Sequence, residues 1–356
     1  MPMLYHRSRY LEQLQFLLMS TQPDAENDET AVIGVVAPLT YSGPYPCLGL
    51  DFHHLNSNAS KSEGNSKQHA VSINFVLDTG ANVNVIKRDL AQSLGLQTFI
   101  RKESLSALGS AGIGGSYETG DIVMMGDCHL SGMPAEQSNL IFMRNLTAAS
   151  LDIGLASTVA DGLLGTAFFN CFPAGVEFDW YGTDGDPPTM IFYYGMHLPN
   201  HAKKNAFRVP IEDDSFFGVP IIKICVNGVE LTAIVDTGSC STILSSEAAE
   251  LVGLNNVVFD NADYSLKAMG IDKRTVDLVK GSSANLTIGN VSFADVKTLF
   301  WGDLPGITLA GTFGAKAPQA VVGLDVLKRM YRMILRLSEQ ELWFEEMPAK
   351  SGSENV

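Results

Sequence analysis

The chain has few cysteines, and their spacing does not suit a metal site. Its 356 residues include 5 cysteines, at positions 47, 128, 171, 225 and 240. No two of them form a Cys-x-x-Cys pair, which excludes the common zinc-binding and thioredoxin-type motifs. An odd number also excludes complete pairing within the chain. We therefore expect no metal and no other cofactor, and the pairing of individual cysteines stays open.

Positive charge and long apolar runs are also scarce. The chain carries 24 Lys and Arg against 39 Asp and Glu, a formal net charge of −15. Because so acidic a surface repels polyanions, we expect no nucleic-acid partner. No run reaches the ~18–20 apolar residues that cross a bilayer, so we expect no membrane span. Residues 1–30 lack a clear secretory pattern. They are predicted to be an N-terminal extension, a prosegment, leader or remnant, and the compartment stays open.

Helical periodicity is sparse, and short apolar runs between Gly, Asn, Asp and Pro predominate. Residues 71–77 and 231–235 are clear examples, and this pattern is typical of an all-β protein. Asn227-Gly228 lies between two such runs and predicts a tight hairpin turn. The few predicted helices are short and cover residues 88–94, 247–252 and 325–333.

The triplet Asp-Thr-Gly occurs twice, each time after an apolar run. Asp78 and Asp236 are 158 positions apart (236 − 78). The same offset relates Leu163-Leu164-Gly165 to Val321-Val322-Gly323, so the chain is an internal duplication. Two lobes of about 150 residues fit the usual domain sizes. We predict an N-terminal lobe over residues 31–200, a C-terminal lobe over 201–348 and a flexible tail over 349–356.

Each lobe thus has an apolar strand, an Asp-Thr-Gly triplet and a later apolar-apolar-Gly segment, and this set resembles the aspartic proteases. The later segment at 161–165 resembles the pepsin-like version, and the one at 320–325 resembles the retropepsin-like version. The resemblance covers roughly residues 35–345. It implies an all-β fold of two homologous retropepsin/pepsin-like β-barrel lobes related by pseudo-twofold symmetry. The active site would lie in the cleft between them, within a monomer.

The resemblance also implies the roles of the triplet residues. Asp78 and Asp236 would form a catalytic dyad that shares one proton, as aspartic-protease dyads do. One carboxylate would activate a water while the other, protonated, polarises the scissile carbonyl. The threonines would hydrogen-bond to the opposite loop, and the glycines would let backbone N–H groups approach the carboxylates. The supporting residues are Thr79, Gly80, Thr237, Gly238 and Ser239.

The two triplets are followed by different residues, Ala81 and Ser239. A hydroxyl beside a carboxylate stabilises its ionised form, so we expect Asp236 to be the more acidic partner. An acidic to mildly acidic activity optimum follows. Cys240, four residues after Asp236, is predicted to be a small buried residue rather than a redox group.

A glycine-rich segment in the first lobe resembles the flap tip of retropepsins. It comprises Gly112, Ile113, Gly114 and Gly115. We expect a β-hairpin there that closes over an extended peptide and excludes water. Met269 and Gly270 stand at the equivalent place in the second lobe. Tyr117 matches the flap tyrosine of pepsin-like enzymes poorly.

The resemblance implies an aspartic endopeptidase that hydrolyses peptide bonds with the Asp78/Asp236 dyad. Its partner would be a peptide or protein substrate in extended conformation. The alternative is a catalytically weak retropepsin-like module that binds peptides or proteins. Cleavage specificity cannot be predicted, because the subsites are formed by side chains scattered over both lobes.

Overall fold

The computed structural model of the chain describes residues 34–53, 55, 70–100, 110–111, 117–118, 120–134, 137, 140–153, 160–182, 186–193, 195–212, 218–254, 265–269, 273, 275–304 and 318–347. The predicted N-terminal extension (1–30) and the predicted tail (349–356) lie outside these residues. Among the described residues, no helix combines the length and apolarity that crossing a bilayer would take.

The first half of the chain is built mainly from strands. Its elements are β1 (Gly34–Pro38), β2 (Thr40–Ser42), β3 (Tyr45–Phe52), β4 (Val71–Leu77), β5 (Val85–Lys87), α1 (Arg88–Ser93), β6 (Gln97–Ile100), β7 (Ser110–Ala111), β8 (Tyr117–Glu118), β9 (Asp121–Leu130), β10 (Phe142–Leu151), β11 (Gly162–Leu164), α2 (Thr166–Phe169), β12 (Val176–Asp179) and β13 (Thr189–Tyr193).

The second half repeats this composition. Its elements are α3 (Asn200–Lys203), β14 (Ala206–Pro210), β15 (Ile221–Val226), β16 (Val229–Val235), β17 (Ile243–Ser245), α4 (Ser246–Leu251), β18 (Ser265–Met269), β19 (Thr275–Lys280), β20 (Ala284–Ile288), β21 (Val291–Val296), β22 (Phe300–Gly302), β23 (Ala320–Val322), α5 (Leu324–Leu327), β24 (Met330–Arg336), a 3₁₀ helix (Leu337–Glu339) and β25 (Glu341–Glu346).

The offset found in the sequence is present in the structure. The bounds of β4, β5, α1, β11 and α2 all shift by 158 to give those of β16, β17, α4, β23 and α5. The strand order β3-β4-β11-β5-β10-β9 in the first lobe matches β15-β16-β23-β17-β22-β19 in the second. In the first lobe β3 also pairs with β9, which closes these six strands into a barrel. The predicted all-β, two-lobed fold is confirmed.

A third sheet joins the two lobes. Its order is β1-β13-β12-β24-β25-β14, so each half of the chain supplies three strands. The halves meet where β12 and β24 pair antiparallel, with Phe178 opposite Met333, and both of these side chains are buried. Burial of apolar area across this junction stabilises the packing of the two lobes against each other.

Local sequence explains most of the elements. In β15 the buried Ile222 and Ile224 alternate with more exposed residues, the period of two expected of a strand. The turn between β15 and β16 is the predicted one, because Asn227 and Gly228 have φ values of 49° and 83°. Positive φ at both central residues suits the twist of a two-residue hairpin.

The predicted helix over 325–333 is wrong. The observed helix α5 ends at Leu327, and residues from Met330 onward belong to β24. Met330, Met333 and Leu335 are buried in the shared sheet, so tertiary pairing overrides the weak helical periodicity of this segment. The residue before α5 is Gly323, and Asp325 in the first turn of this helix accepts a hydrogen bond at its Oδ1 from the Thr242 hydroxyl at 2.7 Å.

Candidate active site

Each Asp-Thr-Gly triplet leaves its strand beside the later segment that holds it. The Asp78 N–H donates to the Leu164 carbonyl of β11 at 3.0 Å. In the second lobe the Asp236 N–H donates to the Val322 carbonyl of β23, also at 3.0 Å. Both contacts extend parallel strand pairs, β4 with β11 and β16 with β23. The two aspartates therefore leave equivalent strands at equivalent points.

The glycine that ends each later segment is required by close packing. The Gly165 N–H donates to Asn84 Oδ1 at 3.1 Å, and the Gly323 N–H donates to Thr242 Oγ1 at 3.1 Å. A Cβ on Gly165 would lie 2.4 Å from the Val83 carbonyl oxygen, and one on Gly323 would meet the corresponding oxygen at the same distance. Any side chain would therefore push the loop of the triplet away.

The two threonines bind the lobes to each other through hydrogen bonds to the opposite loop, which is the role that the resemblance implies. The Thr79 hydroxyl donates to the Val235 carbonyl at 2.6 Å and accepts from the Thr237 N–H at 3.0 Å. Reciprocally, the Thr237 hydroxyl donates to the Leu77 carbonyl at 2.7 Å and accepts from the Thr79 N–H at 3.1 Å. Both threonines are fully buried. Four hydrogen bonds shielded from water thus fix the relative position of the triplets.

The carboxyl groups of Asp78 and Asp236 hydrogen-bond to each other. Asp78 Oδ1 also accepts from the N–H groups of Gly80 at 2.9 Å and Ala81 at 3.0 Å, and Asp236 Oδ1 accepts from the Gly238 N–H at 2.8 Å. A Cβ on Gly80 would lie 2.6 Å from Asp236 Cγ, and one on Gly238 would lie 2.5 Å from Asp78 Cγ. Each carboxyl group therefore packs against the glycine of the opposite triplet.

The two carboxyl groups differ in acidity. Burial raises the pKa of both, and for Asp78 the charge of Asp236 and their mutual hydrogen bond raise the pKa further, well above its ordinary value. For Asp236, the rise caused by burial is opposed by the hydrogen bond from Asp78 and by the N–H groups of Gly238, Ser239 and Gly80. The stronger rise in the pKa of Asp78 favours its protonated form within the pair, and the two groups titrate together.

The direction agrees with the prediction that Asp236 is the more acidic, but the predicted reason is wrong. The Ser239 hydroxyl donates to the Ser241 carbonyl at 2.8 Å. The backbone N–H of Ser239, rather than its side chain, lowers the pKa of Asp236. A serine hydroxyl readily binds a nearby backbone carbonyl, which removes it as a donor to the carboxylate.

The flap predictions are only partly covered by the described residues. Gly112, Ile113, Gly114, Gly115 and Gly270 lie outside them. The stems of both hairpins are present, since β7 pairs antiparallel with β8 and β18 with β19.

The second hairpin contacts the first lobe. Met269 ends β18 opposite Thr275 of β19. Lys273 follows β18 and precedes β19 in the sequence, and its Nζ lies 2.6 Å from Oδ1 of Asp152 in the first lobe. Both side chains are about half exposed or more, so this ion pair contributes little to stability.

Sequence reasoning missed Asn84 and Thr242, which support the later segments. They too are 158 positions apart, so the register could have found them. It also missed Tyr45, whose hydroxyl lies close to the dyad and hydrogen-bonds to Cys240. Cys240 is exposed, so the prediction of a buried residue is wrong. Across the described ranges, no three His, Cys, Asp or Glu side chains come together as a metal site.

Comparison with known proteins identifies the family. The model of a family described as aspartyl protease matches residues 64–168 and 222–317, more than half of the chain in two copies. The chain therefore belongs to the aspartyl protease family. A comparison with curated proteins gave no significant match.

Solved structures show similarity at low sequence identity. A basic 7S globulin from soybean matches with a TM-score of 0.50 and 11% identity, over 88% of this chain and 95% of that one. Conglutin gamma, a basic 7S globulin from lupine seeds, matches over the same shares with 11% identity and a TM-score of 0.48. A retropepsin-like aspartic protease from Rickettsia conorii matches 40% of this chain and 90% of its own, with 15% identity and a TM-score of 0.25.

Proposed function

We propose that the protein is an aspartic endopeptidase that hydrolyses peptide bonds with the Asp78/Asp236 dyad. One observation carries the proposal, namely that the carboxyl groups of Asp78 and Asp236, one from each triplet, lie in direct hydrogen-bonding contact with each other. Such a pair supplies a general base and a general acid at the same place. Because the two carboxyl groups come from the two halves of one chain, the dyad needs no second copy of the protein.

The difference in acidity assigns the two roles. Asp236, the ionised partner, takes a proton from a water whose oxygen attacks the scissile carbonyl carbon. Asp78 donates its proton toward the carbonyl oxygen as negative charge develops there. When the C–N bond breaks, a proton passes from the dyad to the leaving amine and both products are released. No covalent bond to the protein forms at any step.

The same arrangement predicts a bell-shaped dependence of the rate on pH. At low pH both carboxyl groups are protonated, and no base remains to activate water. At high pH both are ionised, and no acid remains to polarise the carbonyl. The rate should therefore be greatest between the two apparent pKa values of the pair, at acidic to mildly acidic pH.

The substrate is proposed to lie extended across the dyad. The hairpin stems β7–β8 and β18–β19 flank the predicted flap residues, and an extended peptide can hydrogen-bond to such hairpins through its backbone. Residues 112–115, Met269 and Gly270 remain the proposed flap contacts.

The test is peptide cleavage by the parent protein and by Asp78→Asn and Asp236→Asn. A library of quenched fluorescent peptides would be assayed between about pH 3 and pH 8. We expect cleavage by the parent and a loss of at least about 100-fold in each variant. Asp295→Asn is a matched control, because Asp295 lies on β21 with its backbone at φ 53°, a conformation that Asn also accepts.

Two outcomes would contradict the proposal. Unchanged cleavage in either dyad variant would remove the dyad from the mechanism. If the parent cleaves nothing at any pH, binding of a peptide with a secondary alcohol in place of the scissile carbonyl would be measured by calorimetry. Binding without cleavage would establish the alternative, a peptide-binding module.

A further inference from the structure

The cleft is not chemically symmetric beside the dyad. The register places Cys47 of β3 opposite Val76, and Ile221 of β15 opposite Ile234, the residue equivalent to Val76. Counting back two residues from Cys47 and Ile221, Tyr45 in the first lobe corresponds to Val219 in the second. By the 158-residue offset, Cys240 corresponds to Asn82. One side of the dyad therefore has a tyrosine and a cysteine where the other has a valine and an asparagine.

Tyr45 and Cys240 contact each other across the two lobes. The Tyr45 hydroxyl hydrogen-bonds to Cys240 Sγ, and both dyad carboxyl groups lie close enough for their charge to act on the phenol. The Tyr45 ring is half-buried and packs against the apolar residues of the first lobe. The hydroxyl is therefore held beside the dyad by packing on one side and by the thiol on the other.

The same surroundings fix the protonation state of the phenol. Burial, the contact with Cys240 and the charges of Asp236 and Asp78 all raise the pKa of Tyr45 above its ordinary value. A tyrosine ordinarily ionises near pH 10. The group is consequently a neutral hydrogen-bond donor and acceptor at every pH at which the dyad can work.

The Ser239 hydroxyl beside the dyad already has a partner. The Ser239 hydroxyl donates to the Ser241 carbonyl at 2.8 Å, and Cys240 Sγ lies 3.7 Å from Ser241 Oγ. Cys240 is exposed, whereas Cys47, two residues along the chain from Tyr45, is buried with its Sγ directed to the Tyr45 carbonyl at 3.6 Å. The phenol of Tyr45 and the exposed thiol of Cys240 thus form a pair of polar groups beside the dyad.

We propose that Tyr45 and Cys240 form a specificity wall that contacts the substrate on one side of the scissile bond. The wall narrows that side relative to the side of Val219 and Asn82, and it offers hydrogen bonds there. It selects a smaller side chain, one able to hydrogen-bond, on its own side of the scissile bond. This inference rests on the proposed endopeptidase function and adds the substrate class to it.

The duplication supplies the variants for the test, because the residue at the equivalent position of the other lobe can replace Tyr45 or Cys240. Tyr45→Val and Cys240→Asn give the first side of the cleft the residues of the second, and Tyr45→Phe removes only the hydroxyl. A peptide library with varied residues on both sides of the scissile bond would be cleaved at the optimal pH. Cleavage sites would be read by mass spectrometry, and kcat and KM would be measured separately.

We expect Tyr45→Val to admit larger side chains on one side of the scissile bond only. For the best substrate of the parent, KM should rise about 10-fold while kcat changes less, because uniform binding is lost. Tyr45→Phe should weaken the preference for hydrogen-bonding side chains and leave the size limit unchanged. Tyr41→Phe is the control, because Tyr41 is also half-buried but contacts Lys328 and not the dyad.

Alkylation with iodoacetamide gives an independent test of the wall. The reagent should modify the exposed Cys240 before the buried cysteines 47, 128 and 171. The modified protein should lose cleavage of substrates with large side chains on that same side, and Cys240→Asn should be insensitive to the reagent.

The inference and the proposed function fail in different ways. If the parent cleaves peptides but Tyr45→Val and Cys240→Asn leave the preference on both sides unchanged, the wall is overturned and the endopeptidase stands. If the parent cleaves nothing, the same comparison would use binding of peptides that carry a secondary alcohol in place of the scissile carbonyl. Equal affinities of parent and Tyr45→Val for peptides that differ on one side would then overturn the wall as well.

Discussion

Asp78 and Asp236 have identical neighbours in the triplets, but the ionised forms of their carboxyl groups are stabilised to different degrees. Asp236 accepts N–H groups from Gly238 and Ser239 of its own loop and from Gly80 of the opposite loop, and Asp78 accepts from Gly80 and Ala81 of its own loop. Each donor favours the ionised form of the carboxyl group it contacts. The geometry of the two loops therefore tunes the pKa of the carboxyl group that each loop carries.

The raised pKa of Asp78 predicts a cost to stability that grows with pH. Below about pH 3.9 Asp78 is protonated in both the folded and the unfolded chain, so it costs nothing. As the pH rises, this carboxyl group ionises first in the unfolded chain, which stabilises the unfolded state relative to the folded one. The effect grows until the pH passes the pKa of the group in the folded state. Asn has the size of a protonated Asp and does not titrate, so Asp78→Asn should remove this cost.

Thermal unfolding of the parent and Asp78→Asn measures the effect. The melting temperature of the variant should exceed that of the parent by an amount that increases from about pH 3 toward neutrality. Each unit by which the folded pKa exceeds the unfolded one corresponds to about 1.4 kcal/mol. A difference between the two proteins that does not change with pH would contradict the raised pKa.

At the scale of single residues, the sequence predicts which residues meet but not how their side chains are oriented. Two triplets with matching surroundings suffice to pair Asp78 with Asp236. The orientation of the Ser239 hydroxyl depends on a carbonyl two residues away, and the proximity of Tyr45 depends on a contact between lobes. Neither leaves a local pattern in the sequence.

At the scale of elements, the strands β11 and β23 determine the geometry of the loops that carry the dyad. Each lies between two strands of its own lobe, parallel to one and antiparallel to the other. The triplet loop must pass around the end of this inserted strand. The close approach at Gly165 and Gly323 follows from that path.

Replacing Gly165 with alanine should therefore destabilise the fold strongly. The new Cβ would meet backbone oxygens at 2.4 and 2.6 Å, which the rigid loop cannot avoid. We expect a loss in the free energy of unfolding on the order of 3–5 kcal/mol, measured by urea denaturation. Gly281→Ala is the matched control, because a Cβ there would lie 3.4 Å from its nearest neighbour. Equal losses in the two variants would refute the steric argument.

Predictability at this scale depends on whether an element's pattern is local. The sequence predicts the short helices after β5 and β17 within a residue or two at each end. Gly95 and Gly253, which follow these helices, have φ values of 65° and 75° and are local signals of a helix end. The pattern over residues 325–333 predicts helix where the structure has β24, because the strands that pair with it, β12 and β25, are distant or later in the chain.

At the scale of the whole molecule, the shared sheet contains a buried ionic cluster. Arg332 Nη1 donates to Glu177 Oε2 at 2.9 Å, its Nε binds Glu345, and the Tyr193 hydroxyl donates to Glu177 at 2.5 Å. Only 4% of the Glu177 side chain is exposed. Because β12 carries Glu177 and β24 carries Arg332, the cluster spans the junction of the lobes.

Arg332→Met should destabilise the junction of the lobes. It would leave Glu177 buried without a cation, for which we expect a loss of about 3–5 kcal/mol in urea denaturation near neutral pH. Arg208→Met is the control, since Arg208 pairs with Glu341 on the same sheet but is 54% exposed. That variant should lose at most about 1 kcal/mol. Similar losses in both variants would show that burial of the pair is irrelevant.

The reciprocal packing of Gly80 and Gly238 has a consequence for how this gene can change. Each glycine makes room for the carboxyl group encoded in the other copy, so a mutation at either codon acts first on its distant counterpart. Selection therefore acts on the two triplets together, although 158 codons separate them. The flap segments and the residues beside the dyad can diverge between the copies, while the triplets must change together or remain the same.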